Sequence, residues 1–481
     1  METLKEKTAR GLFWGGMNNG VQQMIGLLAG IILGRLLSPD DYGMIAMIAI
    51  FSVVAIELQS SGFKTALTNL KEPTDNDYNS VFWFNIVVSL CIYLLLFFSA
   101  PLIARYYHTP ALVPLCRYTF LGFFISSFSL AQSAWLFKNL RTKQQAKAGM
   151  TAIVVSNVVG IVMAWRGYAY WSLATQTLVY VLVNTLMLWH YSPWRPTFSW
   201  DPQPIRTMFR FSCKIMASAI LTQVNNNILN ILLGRYYSAH QTGQYNQAYQ
   251  WNYKASYTLQ GMVQTVAQPV FVDLSDDRER QLRALRKLIR FASFVSFPLL
   301  LGFGLVAKEF IVLAITEKWL VSAGYLQVLC VAGAFTPLSL ILSNLIISRG
   351  RSDIYMWSTL ALGVCQIVLM LALVSQGVSA MVVAFTALNV AWLFVWHHFA
   401  HRLTGYRLLS FLKDMLPFLL VATATMALTH FVTADLGSLW LRLLTRIVMA
   451  AVIYIGVLWM AHAQILKETI EFLRAKTQKK Q

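Results

Sequence analysis

Ile31-Ile32-Leu33-Gly34-Arg35-Leu36-Leu37-Ser38-Pro39-Asp40-Asp41-Tyr42-Gly43 returns two hundred residues later as Ile231-Leu232-Leu233-Gly234-Arg235-Tyr236-Tyr237-Ser238-Ala239-His240-Gln241-Thr242-Gly243, with six of thirteen positions identical. An apolar run precedes each copy and another follows it, so the motif reads as the turn between two membrane helices in each half of a duplicated protein. Duplicated membrane proteins are most often transporters. Ser38 with Pro39 and Asp41 offers an N-cap, a first-turn proline and an acidic third position, and Ser238 with Gln241 forms a Ser-x-x-Gln pattern. Arg35 and Arg235 end the preceding helices, where a cation meets the negative end of the dipole. These four residues are read as structural, and contact between the arginines and a substrate is the open alternative.

Outward from the turn, composition fixes the class. Of 481 residues, 57% are hydrophobic and 12% charged, and the apolar residues fall in runs of about twenty, long enough to span a bilayer as helix. The expected fold is an all-α polytopic membrane protein of about fourteen transmembrane helices. The repeat holds six spans, an even number, so both copies enter the membrane in the same sense and are related by a pseudo-twofold axis along the membrane normal. The expected division is an N-lobe at 1–203 (helices 1–6), a C-lobe at 204–403 (helices 7–12), an appended pair of helices at 404–463 and a basic tail at 464–481.

A net charge of +19 in a soluble protein would suggest nucleic acid. Here the cations concentrate at Lys5 to Arg10, Lys138 to Lys147, Arg278 to Arg290 and Lys467 to Lys480, while alternate loops are nearly bare. That is the positive-inside asymmetry, and it places both termini in the cytoplasm; an anionic-lipid site is the alternative for these runs. The first apolar run serves as its own insertion signal, with no cleavage site. Cys91, Cys116, Cys213, Cys330 and Cys365 show no CxxC and no histidine at ligand spacing, so they read as buried small hydrophobes, with no metal and no cofactor implied. The external loops are short, and no HExxH, GxSxG or Walker pattern stands on a cytoplasmic one, so neither a catalytic centre nor an ATPase is expected.

Polar groups inside the spans are the site candidates. On the eighth, Gln250, Lys254, Tyr257, Gly261, Gln264 and Gln268 recur every three or four positions and make one polar face. Such a face lines a water-filled cavity or bonds to neighbouring helices. The first helix of each repeat adds amides and a cation: Asn19 and Gln22 in one, Lys214 and Asn225 in the other. Lys254 lies deep in its span and Glu57 at similar depth in the repeat-equivalent helix. Either they pair, or Lys254 takes a phosphate and Glu57 a coupling proton or sodium ion. Arg117 and Lys214 stand nearer span ends, where snorkelling to the interface is the alternative. Arg446 is given no direction, and Pro298, Pro337 and Pro417 are expected to kink their helices.

The opening Leu4-Lys5-Glu6-Lys7-Thr8 with Gly11-Leu12-Phe13-Trp14, the turn Gly34 to Gly43, and Glu72-Pro73-Thr74-Asp75 to Asp77-Tyr78 with Val81-Phe82-Trp83-Phe84-Asn85 resemble bacterial polysaccharide exporters of the colanic-acid-exporter type, within the multidrug/oligosaccharidyl-lipid/polysaccharide exporter superfamily. The resemblance implies two six-helix lobes in a V and alternating access that moves an undecaprenyl-diphosphate-linked oligosaccharide across the bacterial inner membrane. It implies a cationic cavity, for which Lys254, Lys214 and Arg117 are the available groups, and polymerase or glycosyltransferases as associates. The alternatives are a cation-coupled multidrug exporter of the same superfamily and, disfavoured by the short loops, a membrane glycosyltransferase or polymerase.

Overall fold

The structure, a computed structural model, describes residues 4–60, 67, 70, 72–199, 201–274, 277–462 and 465, without the side chains of 4–19, 60, 202, 204, 207–215, 218 and 258. The predicted side chains of Asn19, Lys214 and Cys213, and nearly all of the basic tail, therefore lie outside the described residues.

The described residues are helical, with no strand. In chain order the helices are α1 (Leu4–Leu36), α2 (Pro39–Ser60), α3 (Asp75–Tyr106), α4 (Leu112–Ser127), α5 (Leu130–Lys138), α6 (Thr142–Trp165), α7 (Tyr170–Tyr191), α8 (Pro202–Tyr236), α9 (Ala239–Asp273), α10 (Arg278–Leu305), α11 (Ala307–Ile315), α12 (Leu320–Ser348), α13 (Ser352–Leu373), α14 (Val378–Thr404), α15 (Leu408–Val432) and α16 (Leu439–Met460). Among the described residues ten helices are long and apolar enough to cross a membrane, or eleven if α4 and α5, bent by 41°, make one span. The chain is a multi-pass membrane protein.

Side chains that compete for backbone bonds mark the helix starts. Thr74 and Asp77 cap α3 reciprocally, through Asp77 N–H to Thr74 Oγ1 at 3.3 Å and Thr74 N–H to Asp77 Oδ2 at 2.8 Å. Asp201 precedes Pro202 and accepts from Gln203 N–H at 2.9 Å, and Asp277 accepts from Arg280 N–H at 2.9 Å. Each cap satisfies a donor that the first helical turn leaves without a partner. At its far end α14 stops at Gly405, whose φ of 75° is the left-handed conformation that costs glycine nothing.

The three prolines expected to kink α10, α12 and α15 sit within continuous helices. A break of 41° falls between α4 and α5, where Ser126, Ser127 and Ser129 donate their hydroxyls to carbonyls three residues back. Local hydroxyl bonds offer the backbone an alternative to the helical ladder, so this stretch bends without proline.

Two compact units divide the chain, Met1–Asn246 and Gln247–Gln481. In the first, α2, α3, α4 and α7 enclose Met47, Ile48, Leu112, Leu115 and Phe120. In the second, α10, α12 and α15 enclose Phe297, Leu338, Ile341, Leu342 and Phe411. Arg446 of α16 points into this unit: it meets Glu309 of α11 at 2.8 Å, the two side chains being 5% and 1% exposed, and donates to Thr433 Oγ1 at 2.9 Å. Cys116 and Cys330 are buried, but Cys91 and Cys365 are exposed, against the expectation that all the cysteines are enclosed. Both stand on surfaces of apolar spans, where a small hydrophobe faces acyl chains at little cost.

Candidate functional site

The repeated turn is built as its residues suggest. Ser38 Oγ accepts from Asp41 N–H at 3.3 Å and Ser38 N–H donates to Asp41 Oδ2 at 2.8 Å. In the second copy Ser238 Oγ accepts from Gln241 N–H at 3.3 Å. Arg35 stands exposed in the last turn of α1. Arg235 ends α8, bonds to the Tyr106 carbonyl and the His108 ring, and lies 5.1 Å from the centroid of the Tyr106 ring.

Contact between the two copies was not apparent from the sequence. A Cβ on Gly43 would enter the Ala239 carbonyl, and a Cβ on Gly243 would enter the Pro39 carbonyl. The two contacts exchange partners at an offset of two hundred residues. His240 Nδ1 and Asp40 Oδ2, also two hundred apart, meet at 3.0 Å. The conserved spacing of the glycines in the echo was the available signal: glycine allows two backbones to cross in contact.

On α9 the expected polar positions divide by exposure, and Met262 and Val266 are exposed as well. Gln250, Gly261, Gln264 and Gln268 are exposed and Lys254 and Tyr257 half-buried, while Trp251, Leu259, Ala267 and Phe271 on the other side are buried. Lys254 Nζ lies 4.6 Å from the centroid of the Trp251 ring, which packs edge-on against Phe310 with centroids 5.0 Å apart. An indole face holds a cation by its quadrupole without neutralising it. Among the described residues no carboxylate pairs with Lys254. Gly333 of α12 leaves room for Asn252, whose Oδ1 would lie 2.5 Å from a Cβ at that position.

The remaining candidates separate by environment. Glu57 of α2 accepts from Gln223 Nε2 of α8 at 3.2 Å, and Gln223 O accepts from Asn227 Nδ2 at 2.9 Å. Asn225, one step from this group, is 8% exposed, and Gln22 on α1 is half-buried. Arg117 of α4 is turned to α3, its Nε 3.4 Å from the Phe97 carbonyl and its guanidinium 4.4 Å from the Phe97 ring centroid. The structure thus gathers Gln250, Lys254, Tyr257 and Gln264 on one helix face, joins Glu57 to Gln223, and ties Arg117 to a neighbouring helix. No three His, Cys, Asp or Glu side chains among the described residues converge as metal ligands.

Residues 32–324 match the family described as "Polysaccharide biosynthesis protein". The lipopolysaccharide biosynthesis protein WzxC of Escherichia coli (strain K12) is 24% identical over 358 residues, covering 73% of this chain and 72% of its own. The succinoglycan biosynthesis transport protein ExoT of Rhizobium meliloti (strain 1021) is 24% identical over 467 residues, covering 92% and 91%. Among solved structures, the lipid II flippase MurJ in an inward closed conformation superposes with a TM-score of 0.71 at 13% identity, covering 94% of this chain and 99% of that one. At that identity the likeness is one of fold.

Proposed function

The chain belongs to the polysaccharide biosynthesis protein family, and from that premise we propose that it is a flippase, carrying lipid-linked oligosaccharide or polysaccharide repeat units across the bacterial inner membrane by alternating access. One observation carries the reading: α9, 35 residues long, presents Gln250, Lys254, Tyr257, Gln264 and Gln268 on the side away from its packed face. In the proposed fourteen-span arrangement α9, too polar to count among the ten apolar helices, crosses the membrane, where exposed amides need water or a polar ligand because lipid offers them no partner. Amides and a phenol bond sugar hydroxyls, and Lys254, held on an indole, supplies a positive charge to a phosphate. The prenyl chain of the substrate remains in lipid.

The finer architecture belongs to the same proposal: fourteen spans, as two repeats of six related by a pseudo-twofold axis plus an appended pair, with both termini in the cytoplasm. The exchanged contacts of Gly43 and Gly243 support it. Within it Glu57, bonded to Gln223, is the site of a coupling proton or sodium ion, Arg117 and Lys214 are secondary cations, and polymerase or glycosyltransferases are the associates.

Proteoliposomes loaded with a labelled lipid-linked oligosaccharide test the reading. Wild type transfers label between leaflets, and Lys254→Ala, in a helix that still folds, slows transfer at least tenfold. Efflux of cationic dyes by a wild type that transfers no oligosaccharide overturns the proposal; normal transfer by Lys254→Ala removes Lys254 from the site.

A further inference from the structure

Within the first unit, the start of α3, the end of α5 and the connector from α7 to α8 border a cavity of about 570 Å³, inside the roughly 300–1,000 Å³ range of small-molecule sites. Asp75 and Asn79 come from α3, Trp135 from α5, and Trp194, Arg195 and Thr197 from the connector. The connector is pinned to α3 residue by residue. Asn79 Nδ2 donates to Thr197 Oγ1 at 2.7 Å and to Ser199 Oγ at 3.2 Å, Thr197 N–H donates to Asn79 Oδ1 at 2.9 Å, and Trp83 Nε1 donates to the Thr197 carbonyl at 2.8 Å. Trp194, 6% exposed, packs on Tyr78 and Phe82 with ring centroids 5.8 Å apart in both pairs. A ligand meets walls that are already ordered, so its binding loses little entropy there.

Several polar groups of the wall are left for a ligand. Asp75 is exposed and, among the described residues, meets no cation. Arg195 is exposed as well, and only its Nη1 is engaged, by the Ser192 and Trp194 carbonyls. Neither the Trp135 nor the Trp194 indole N–H has an acceptor among the described residues. One carboxylate and one guanidinium are the only charged lining residues, so the cavity carries no net charge to hold a phosphate or a free cation. Indole beside carboxylate, guanidinium and hydroxyl makes a wall that is apolar in one place and hydrogen-bonding in the next. A sugar ring has the same division, with a C–H face that stacks on an aromatic and a rim of hydroxyls that donate and accept.

We propose that this cavity binds a neutral sugar residue. The apolar face of the sugar rests on the side of the Trp135 indole that Arg141, 5.3 Å from the ring centroid, does not cover. Its hydroxyls donate to Asp75 and accept from Arg195 and an indole N–H. On the proposed topology the cavity lies at the cytoplasmic end, where it reads a sugar of the lipid-linked oligosaccharide before transport. That role rests on the flippase reading; the binding of the sugar does not.

Saturation-transfer difference NMR tests the site, on full-length protein in a detergent without a sugar headgroup and with the methyl glycosides of glucose, galactose, mannose and N-acetylglucosamine as probes. At least one glycoside takes up saturation, and Asp75→Ala lowers its affinity roughly tenfold, as loss of one hydrogen bond to a charged group does. Asp75 takes no part in the α3 cap, which Thr74 and Asp77 make. Trp135→Leu removes the stacking face, spares the bonds between connector and α3, and serves alone if Asp75→Ala does not fold. Absence of binding by every glycoside, or affinity unchanged in both variants, overturns the site even where the wild type transfers lipid-linked oligosaccharide. Glycoside binding that both variants weaken, in a wild type that transfers none, upholds the site and removes the flippase reading.

Discussion

Arg446 shows how much of a buried charge escapes the sequence. Arg442, four residues earlier, marks one face of its helix, but spacing does not name what that face meets; Glu309, Thr433 and the Leu305 carbonyl, brought together by folding, do. Removing one member of a buried pair costs about 3–5 kcal/mol when it strands the other; here Arg442, 3.7 Å from the same Glu309 oxygen, stays behind and holds the loss to the lower part of that range. Arg446→Leu is therefore expected to melt well below wild type in detergent, and Arg446→Leu with Glu309→Gln to regain part of the loss; equal melting of Arg446→Leu and wild type would refute the pairing. Lys254 is the opposite case: its place on the polar face follows from spacing alone, because helical periodicity is local. Glu57 lies between the two cases. Its depth was legible, but its bond to Gln223, 166 residues away, was not. In Glu57→Gln the amide oxygen still accepts from Gln223 while the charge is gone. Transfer by that variant is expected to proceed without dependence on a proton or sodium gradient. Gradient dependence equal to wild type would move the coupling site elsewhere.

At the scale of elements, what was legible is what the backbone itself demands. Caps at Ser38 and Ser238 are stated by residue type, because a helix start needs an acceptor for its first N–H groups. The bend at Ser126–Ser129 was not, since no proline stands there and three serines within four residues each bond back to the chain. The echoed turn was read as a cap pattern, and its glycines went unused. Their role is the crossing of α2 and α9, where a side chain at 43 or 243 meets a carbonyl that cannot rotate away. Overpacking of this kind costs about 1–3 kcal/mol. Gly243→Ala is expected to open the crossing and so to lower oligosaccharide transfer by roughly five- to a hundred-fold, with helix content by circular dichroism unchanged. Wild-type transfer by Gly243→Ala would show that the crossing tolerates a Cβ and has no part in transport.

For the whole molecule, the proposed duplication rests on its most constrained point, since a crossing of two glycines tolerates few substitutions, whereas lipid-facing positions need only be apolar. The same point explains why transport should pass through it. In the proposed arrangement residues 39–43 belong to one repeat and 239–243 to the other, and they touch at two backbone contacts and at the Asp40 to His240 bond of 3.0 Å. Alternating access requires the repeats to part at one end and close at the other, so a crossing closed here must open during the cycle. Asp40→Cys with His240→Cys, in a background in which the exposed Cys91 and Cys365 are serine, is expected to cross-link with a short reducible bis-methanethiosulfonate. The linked protein should bind substrate from one leaflet and transfer none, and a reductant should restore transfer. Full transfer with the link in place would mean that the crossing stays shut throughout the cycle, and that substrate leaves by a route opened elsewhere in the bundle.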